Sequence, residues 1–227
     1  MTAWPRPSVS LVTARTLLSP DARTVREEIL ALERWLDEAI TAGVDLVQIR
    51  ERDLDVELLT GLVSRLVLRA RSTSTLIVVN ERAEVAIAAG ADGVHLRADG
   101  PPTDRARTLR AAPWIVGRSV HPGDELGAHR QADYLLFGTV FGGGSKPATA
   151  PLAGLGALRD AAAATAVPVV AIGGITPERA RACVAVGAAG VAAISLYLPE
   201  GRAAAALGPA RAVQSLRAAM DAPGEQG

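Results

Sequence analysis

Short apolar runs alternate with amphipathic stretches along the whole chain. The runs fall at residues 9–13, 45–50, 76–80, 93–96, 115–120, 134–140, 167–173 and 190–196. Several are almost continuously apolar, as in Leu76-Ile77-Val78-Val79. A strand buried on both faces of a parallel sheet has that signature, whereas a half-solvated strand alternates. The stretches between them carry helical spacing. Val25, Ile29, Leu32, Leu36 and Ile40 make one apolar stripe, and Leu58, Leu59, Leu62, Leu66 and Val67 make another. Thr176-Pro177-Glu178 reads as an N-cap, a proline in the first turn and an early acid. Gly43, Gly90 and Gly187 stand where a left-handed residue ends a helix.

Eight strand–helix units in 227 residues predict a single (β/α)₈ TIM barrel, with its core over about 9–219 and a frayed tail at 220–227. Composition narrows the function. Lys plus Arg and Asp plus Glu number 24 each, so neither a nucleic acid nor an anionic membrane is expected as partner. Cys183 is the single cysteine, which excludes an intrachain disulfide and a multi-cysteine zinc site. Apolar runs are too short to span a bilayer, and Pro5-Arg6-Pro7 offers no apolar signal core; a cytoplasmic protein is the expectation.

In a barrel, polar residues at strand C-terminal ends gather at one mouth. Here those ends carry Gln48, Arg50 and Arg52, then Asn80 and Glu81, His95 and Arg97, and Arg118, Ser119 and His121. Ser145 and Lys146, Gly173 and Gly174, and Ser195 complete the set. Gly173-Gly174 leads into the helix capped by Thr176, a place where backbone N–H groups can meet an anion; the alternative is a plain tight turn. Gly142-Gly143-Gly144-Ser145-Lys146 lacks the nucleotide-loop spacing and reads as a lid bringing Lys146 to an anionic ligand. Arg50 and Arg52 alternate toward the mouth, where a guanidinium fork can hold a phosphate or carboxylate, while Glu51 points outward. His121 has the chemistry of a general acid or base, whereas His95 reads as a buried, hydrogen-bonded histidine. His129 and Cys183 fall on outer segments and take no role.

Gln48-Ile49-Arg50-Glu51, Val79-Asn80-Glu81-Arg82, Gly90-Ala91-Asp92-Gly93-Val94-His95-Leu96 and Ala171-Ile172-Gly173-Gly174-Ile175-Thr176-Pro177 together resemble the thiamine phosphate synthase superfamily, in order, from Val9 to Leu198. The resemblance implies thiamine biosynthesis, a phosphorylated thiazole as ligand and a possible homodimer. It offers two chemistries: a Mg²⁺-dependent synthase joining a pyrimidine diphosphate to a thiazole phosphate, and a metal-free TenI-type tautomerase that aromatises a carboxythiazole phosphate. The synthase pattern is altered here. Arg52 stands for a lysine, Glu81 for an aspartate, and Asp99-Gly100 for the metal-binding acid, with Arg97 beside it. Residues 117–121 and 132–141 are similar to the tautomerase branch. The leading expectation is therefore an isomerase without a metal. His121 would be its acid–base group, and Gly173, Gly174, Ser195 and Leu196 would hold phosphate through their backbone. Gln48, Arg50, Arg52, Asn80, Ser119, Ser145 and Lys146 would line the substrate site. The alternatives are the synthase, with Glu81 and Asp99 toward Mg²⁺, and a non-catalytic ligand-binding barrel of the same ancestry.

Overall fold

The computed structural model describes Trp4 and residues 7–111, 113–142 and 151–221. Eight strands run in chain order: β1 (Ser8–Val12), β2 (Leu46–Ile49), β3 (Leu76–Asn80), β4 (Gly93–Leu96), β5 (Ile115–Val120), β6 (Tyr134–Phe137), β7 (Val169–Ile172) and β8 (Gly190–Ala193). Each pairs in parallel with the next, and β8 pairs back onto β1, so the sheet is a closed barrel, as its eightfold pattern predicts. The helices are α1 (Arg15–Leu18), α2 (Val25–Thr41), α3 (Val56–Ala70), α4 (Ala83–Ala89), α5 (Thr103–Arg107), α6 (Gly154–Ala163), α7 (Pro177–Ala185) and α8 (Pro209–Asp221).

Four strands are shorter than their apolar runs, β2 by one residue at each end. Pro168 has no N–H for the ladder, so β7 begins at Val169. The run at 134–140 leaves the sheet after Phe137, and Gly138 and Thr139 turn to line the mouth. After β8 the chain folds into a 3₁₀ turn, Ser195–Tyr197, instead of extending. Between β5 and β6 there is only the 3₁₀ turn Leu126–His129. Met220 and Asp221, expected in a frayed tail, belong to α8; the rest of that tail lies outside the described residues.

The side chains sort into two layers. Val9 and Leu11 of β1 face outward with Leu32, Leu36 and Ile40 of α2, so the apolar stripe of that helix meets the sheet. Each such side chain taken fully out of water contributes about 1.5–3 kcal/mol. Val12, Leu46, Val78, Tyr134, Leu136 and Val170 fill the barrel interior instead. Thr24 accepts the Glu27 N–H at the start of α2, Asp55 accepts that of Leu58 before α3, and Thr176 accepts that of Arg179 before α7. Gly43, Gly90 and Gly187 take the left-handed conformation their positions predict.

One bracing device recurs at the N-terminal end of the barrel. Asp45, Asp92 and Asp133 each stand just before a strand and accept the N–H of the preceding strand, from Val9, Ile77 and Val116 respectively, at 2.7 Å. Burial pushes the Asp92 carboxyl up, while the Ile77 N–H holds it down. Replacing Asp92 by alanine leaves that N–H without its acceptor. The Asp92→Ala variant should lose about 1–3 kcal/mol of stability in a urea titration. Asp92→Asn, which keeps an acceptor oxygen, should lose less.

Candidate active site

Alternation carries Gln48 of β2 and Arg50, just past its end, toward the C-terminal mouth, and Arg52 continues in the same sense. The Gln48 amide donates to Asn80 Oδ1 at 3.0 Å, and the Asn80 amide donates to Glu81 Oε2 at 3.0 Å. Both amides are buried, so this chain of donors holds the ends of β2 and β3 in register. Glu81 adopts φ 63°, rare for a residue with a side chain and costing on the order of 1 kcal/mol or more. Its carboxylate meets Arg97 Nε at 2.9 Å and lies 3.6 Å from Arg52 Nε. Arg97 Nε also stands 2.9 Å from Asp99.

Glu51 points away from the mouth, as alternation requires, but into the protein and not into solvent. It is 4% exposed, and Arg15 of α1 stands 3.0 Å from it while also meeting Asp53 at 2.6 Å and Glu28 at 2.8 Å. Burial pushes the Glu51 carboxyl up, and the Thr13 hydroxyl and Arg15 oppose that shift. Arg15 holds the Asp53 carboxyl below the usual range. The network anchors the segment from which Arg50 and Arg52 project. Arg50 itself is half-buried, its backbone N–H donates to Thr13, and its guanidinium has no ion-pair partner among the described residues. Burial and the neighbouring Arg52 charge push its pKa down.

Opposite these cations, Gly173 and Gly174 have φ of 108° and 59° and close the turn into α7. A Cβ at Gly173 would stand 2.4 Å from Thr139 Cγ2, and one at Gly174 2.3 Å from the Gly142 carbonyl oxygen. Tight packing demands both glycines, and the same bareness leaves the backbone open toward the N-terminus of α7. Gly173, Gly174, Gln48, Arg50, Arg52, Asn80, Ser119, His121 and Ser195 line one cavity of about 710 Å³, together with Arg97 and Asp99. Glu81 borders a smaller cavity of about 230 Å³ behind it. The Leu196 side chain is buried in the outer core and takes no part in the lining. Ser145 and Lys146 lie outside the described residues. His121 is a half-exposed rim residue whose backbone N–H donates to Asp124 at 2.8 Å. Thr139, with Gly138, lines the mouth just past β6 and is absent from the sequence-based set, although its place after a strand end could have marked it.

Two residues that read as motif chemistry serve the barrel. A Cβ at Gly117 would stand 2.2 Å from Tyr134 Cζ, so the ring fixes that glycine. Arg118, 5% exposed, donates at 2.6 Å to the carbonyls of Ala98 and Pro101 and ties down the loop bearing Asp99.

Comparison with known proteins gives a consistent assignment. The family model described as thiamine monophosphate synthase matches residues 22–196. The thiamine-phosphate synthase of Methanoculleus marisnigri is 40% identical over 193 residues, 82% of this chain and 88% of the relative. That of Chlorobium luteolum is 36% identical, covering 89% of this chain and 94% of its own. Among solved structures, the thiamine phosphate pyrophosphorylase of Pyrococcus furiosus superposes with a TM-score of 0.77 at 28% identity, covering 96% of both chains.

These relatives overturn the expected isomerase, because synthases match this chain at 36–40% identity. The physical reason is visible in the segment that favoured the tautomerase. Gly117, Arg118 and Val120 are spent on packing and loop anchoring, so their likeness reports barrel construction and not the choice of reaction.

The Mg²⁺ ion attached to the synthase reading asks for several hard oxygen donors in octahedral geometry. Glu81 and Asp99 provide carboxylates, yet the Arg97 guanidinium already sits 2.9 Å from each. No cluster of three acidic, histidine or cysteine side chains that could hold a metal is present among the described residues. The residues as arranged do not fit the ion, and no step below runs through it. With Arg97 between the carboxylates, Mn²⁺ should show no saturable sub-millimolar binding to the free protein by electron paramagnetic resonance. Arg97→Ala removes a repulsion of about 1 kcal/mol or more and should tighten Mn²⁺ binding roughly tenfold. Equal Mn²⁺ affinity in the two proteins would show that Arg97 does not guard these acids.

Proposed function

This chain belongs to the thiamine monophosphate synthase family, and on that premise we propose that it is a transferase joining a pyrimidine methyl diphosphate to a thiazole phosphate. The thiazole nitrogen would attack the methylene carbon of the pyrimidine, and the carbon–oxygen bond to diphosphate would break. Thiamine phosphate and diphosphate are the products. Both substrates are phosphorylated small molecules, and the cavity offers two separate kinds of anion contact.

The observation that carries this reading is Arg50. A half-buried guanidinium with no ion-pair partner among the described residues is costly, since desolvation disfavours its charge and the more distant Glu51 and Glu81 offset only part of that. An anionic ligand removes that cost on arrival. Arg50 and Arg52 suit the diphosphate, whose negative charge grows as it departs, and a guanidinium fork can accept two of its oxygens at once. The turn at Gly173 and Gly174 suits the phosphate of the thiazole, held by backbone N–H groups and the dipole of α7. Apolar walls from Val12, Leu136 and Ile172 leave room for stacked heterocycles between the two poles.

The test is direct. Purified protein is incubated with the pyrimidine methyl diphosphate and the thiazole phosphate, with and without Mg²⁺, and thiamine phosphate is measured by its thiochrome fluorescence. Product above the protein-free control is the expected outcome; none under either condition would remove the transferase reading. Arg50→Ala should lower kcat/KM by roughly 10- to 150-fold, the equivalent of about 1.5–3 kcal/mol for a hydrogen-bonded charge. Arg50→Lys should recover only part of this, because an ammonium lacks the fork.

A further inference from the structure

A polar chain runs from inside the barrel to the wall of the cavity. His95 of β4 is 1% exposed, and its two ring nitrogens each have one partner. Nδ1 lies 2.9 Å from the Tyr134 hydroxyl, and Nε2 lies 2.9 Å from Ser119 Oγ. Tyr134, from β6, is buried among the interior side chains and stacked under Trp4 at 4.6 Å. Its hydroxyl has no other hydrogen-bond partner among the described residues. Ser119, from β5, is partly exposed and lines the main cavity.

Proton counting fixes the direction of this chain. A neutral imidazole carries one N–H and one lone pair. If Nδ1 held the proton, it would donate to Tyr134, and the tyrosine proton would be buried with no acceptor. That omission costs more than a hydrogen bond gains. If the tyrosine donates to Nδ1 instead, every buried donor is satisfied. Nε2 then carries the ring proton and donates to Ser119 Oγ. The serine proton cannot point back at His95 and is left to face the cavity. Burial and the Arg118 charge pull the His95 pKa down to about 3, so the doubly protonated ring, which would donate at both nitrogens, is not formed near neutrality.

We propose that Tyr134 and His95 are positioning residues that lock Ser119 as a hydrogen-bond donor, so that this part of the cavity selects a ligand atom that accepts. A phosphate oxygen and an unprotonated ring nitrogen share that chemistry. A ligand N–H at this point could reach only the second lone pair of Oγ and would leave the serine proton without a ligand acceptor.

The tautomer is measurable on the free protein, without turnover, so this inference can fail while the transferase reading stands, and the reverse. Long-range ¹H–¹⁵N correlation spectra of ¹⁵N-histidine-labelled protein should show His95 as one Nε2–H tautomer, unchanged between about pH 5 and 9. A Nδ1–H tautomer, or titration in that range, would overturn the proposal. Tyr134→Phe keeps the ring and removes the donor, and should turn His95 into a tautomer mixture with averaged ¹⁵N shifts. A pure Nε2–H form in that variant would show that Tyr134 does not set the direction. Ser119→Ala should weaken either inorganic diphosphate or the phosphate-free pyrimidine alcohol roughly three- to tenfold in calorimetric titrations, whichever presents the accepting atom. Unchanged binding of both would end the claim that Ser119 donates to a ligand. Thermal melts of both variants check that the barrel is intact.

Discussion

Ring closure rests on a contact too tight for any side chain. Gly190 of β8 lies against β1, where an added Cβ would stand 2.1 Å from Ser8 Oγ and 2.3 Å from the Ser8 carbonyl oxygen. Gly93 meets the Ile115 carbonyl in the same way on the far side of the barrel. Glycine at these two positions lets neighbouring strands approach and the eight parallel segments return to their start. Everything functional follows from that geometry. Were the sheet open, the cations at the ends of β2 and β4 would not face the glycine turn after β7.

The closed ring also organises charge by depth. Acids at the N-terminal end, such as Asp45 and Asp133, accept strand N–H groups and meet Arg217 and Arg107. At the opposite end, Arg15 gathers Glu28, Glu51 and Asp53 behind β2, while Arg50 in front of it makes no ion pair among the described residues. Glu81 and Asp99 temper Arg97, and Glu81 is near Arg52. The mouth therefore keeps a residual positive charge on groups fixed before any ligand enters. Preorganised charge of this kind needs no reorganisation during a reaction, which is the advantage a phosphorylated substrate exploits.

Polar groups buried in the interior would weaken a barrel if left unpaired. Here Gln48, Asn80, His95 and Tyr134 are joined in short chains that end at Glu81 or Ser119, at the edge of the cavities. The same bonds that satisfy the core thus set the orientation of groups facing a ligand. No helix among the described residues is long and apolar enough to cross a bilayer.

The apolar runs by themselves determined the barrel, the order of its strands, the stripe of α2 and the residues of the mouth, because period and strand-end position are local properties of a chain. They placed Gln48, Arg50, Asn80, Ser119, Gly173 and Gly174 at one mouth, and all six line one cavity. They could not say that Glu51 would be buried under Arg15, that Arg118 would tie down the loop at Ala98, or that Leu196 would turn into the core. The first two depend on partners 36 residues away for Glu51 and 17 to 20 residues away for Arg118. The resemblance of residues 117–121 and 132–141 misjudged the branch, taking packing residues around Gly117 as marks of an isomerase. A side chain's period says which face it takes; only closure of the ring decides what stands opposite it.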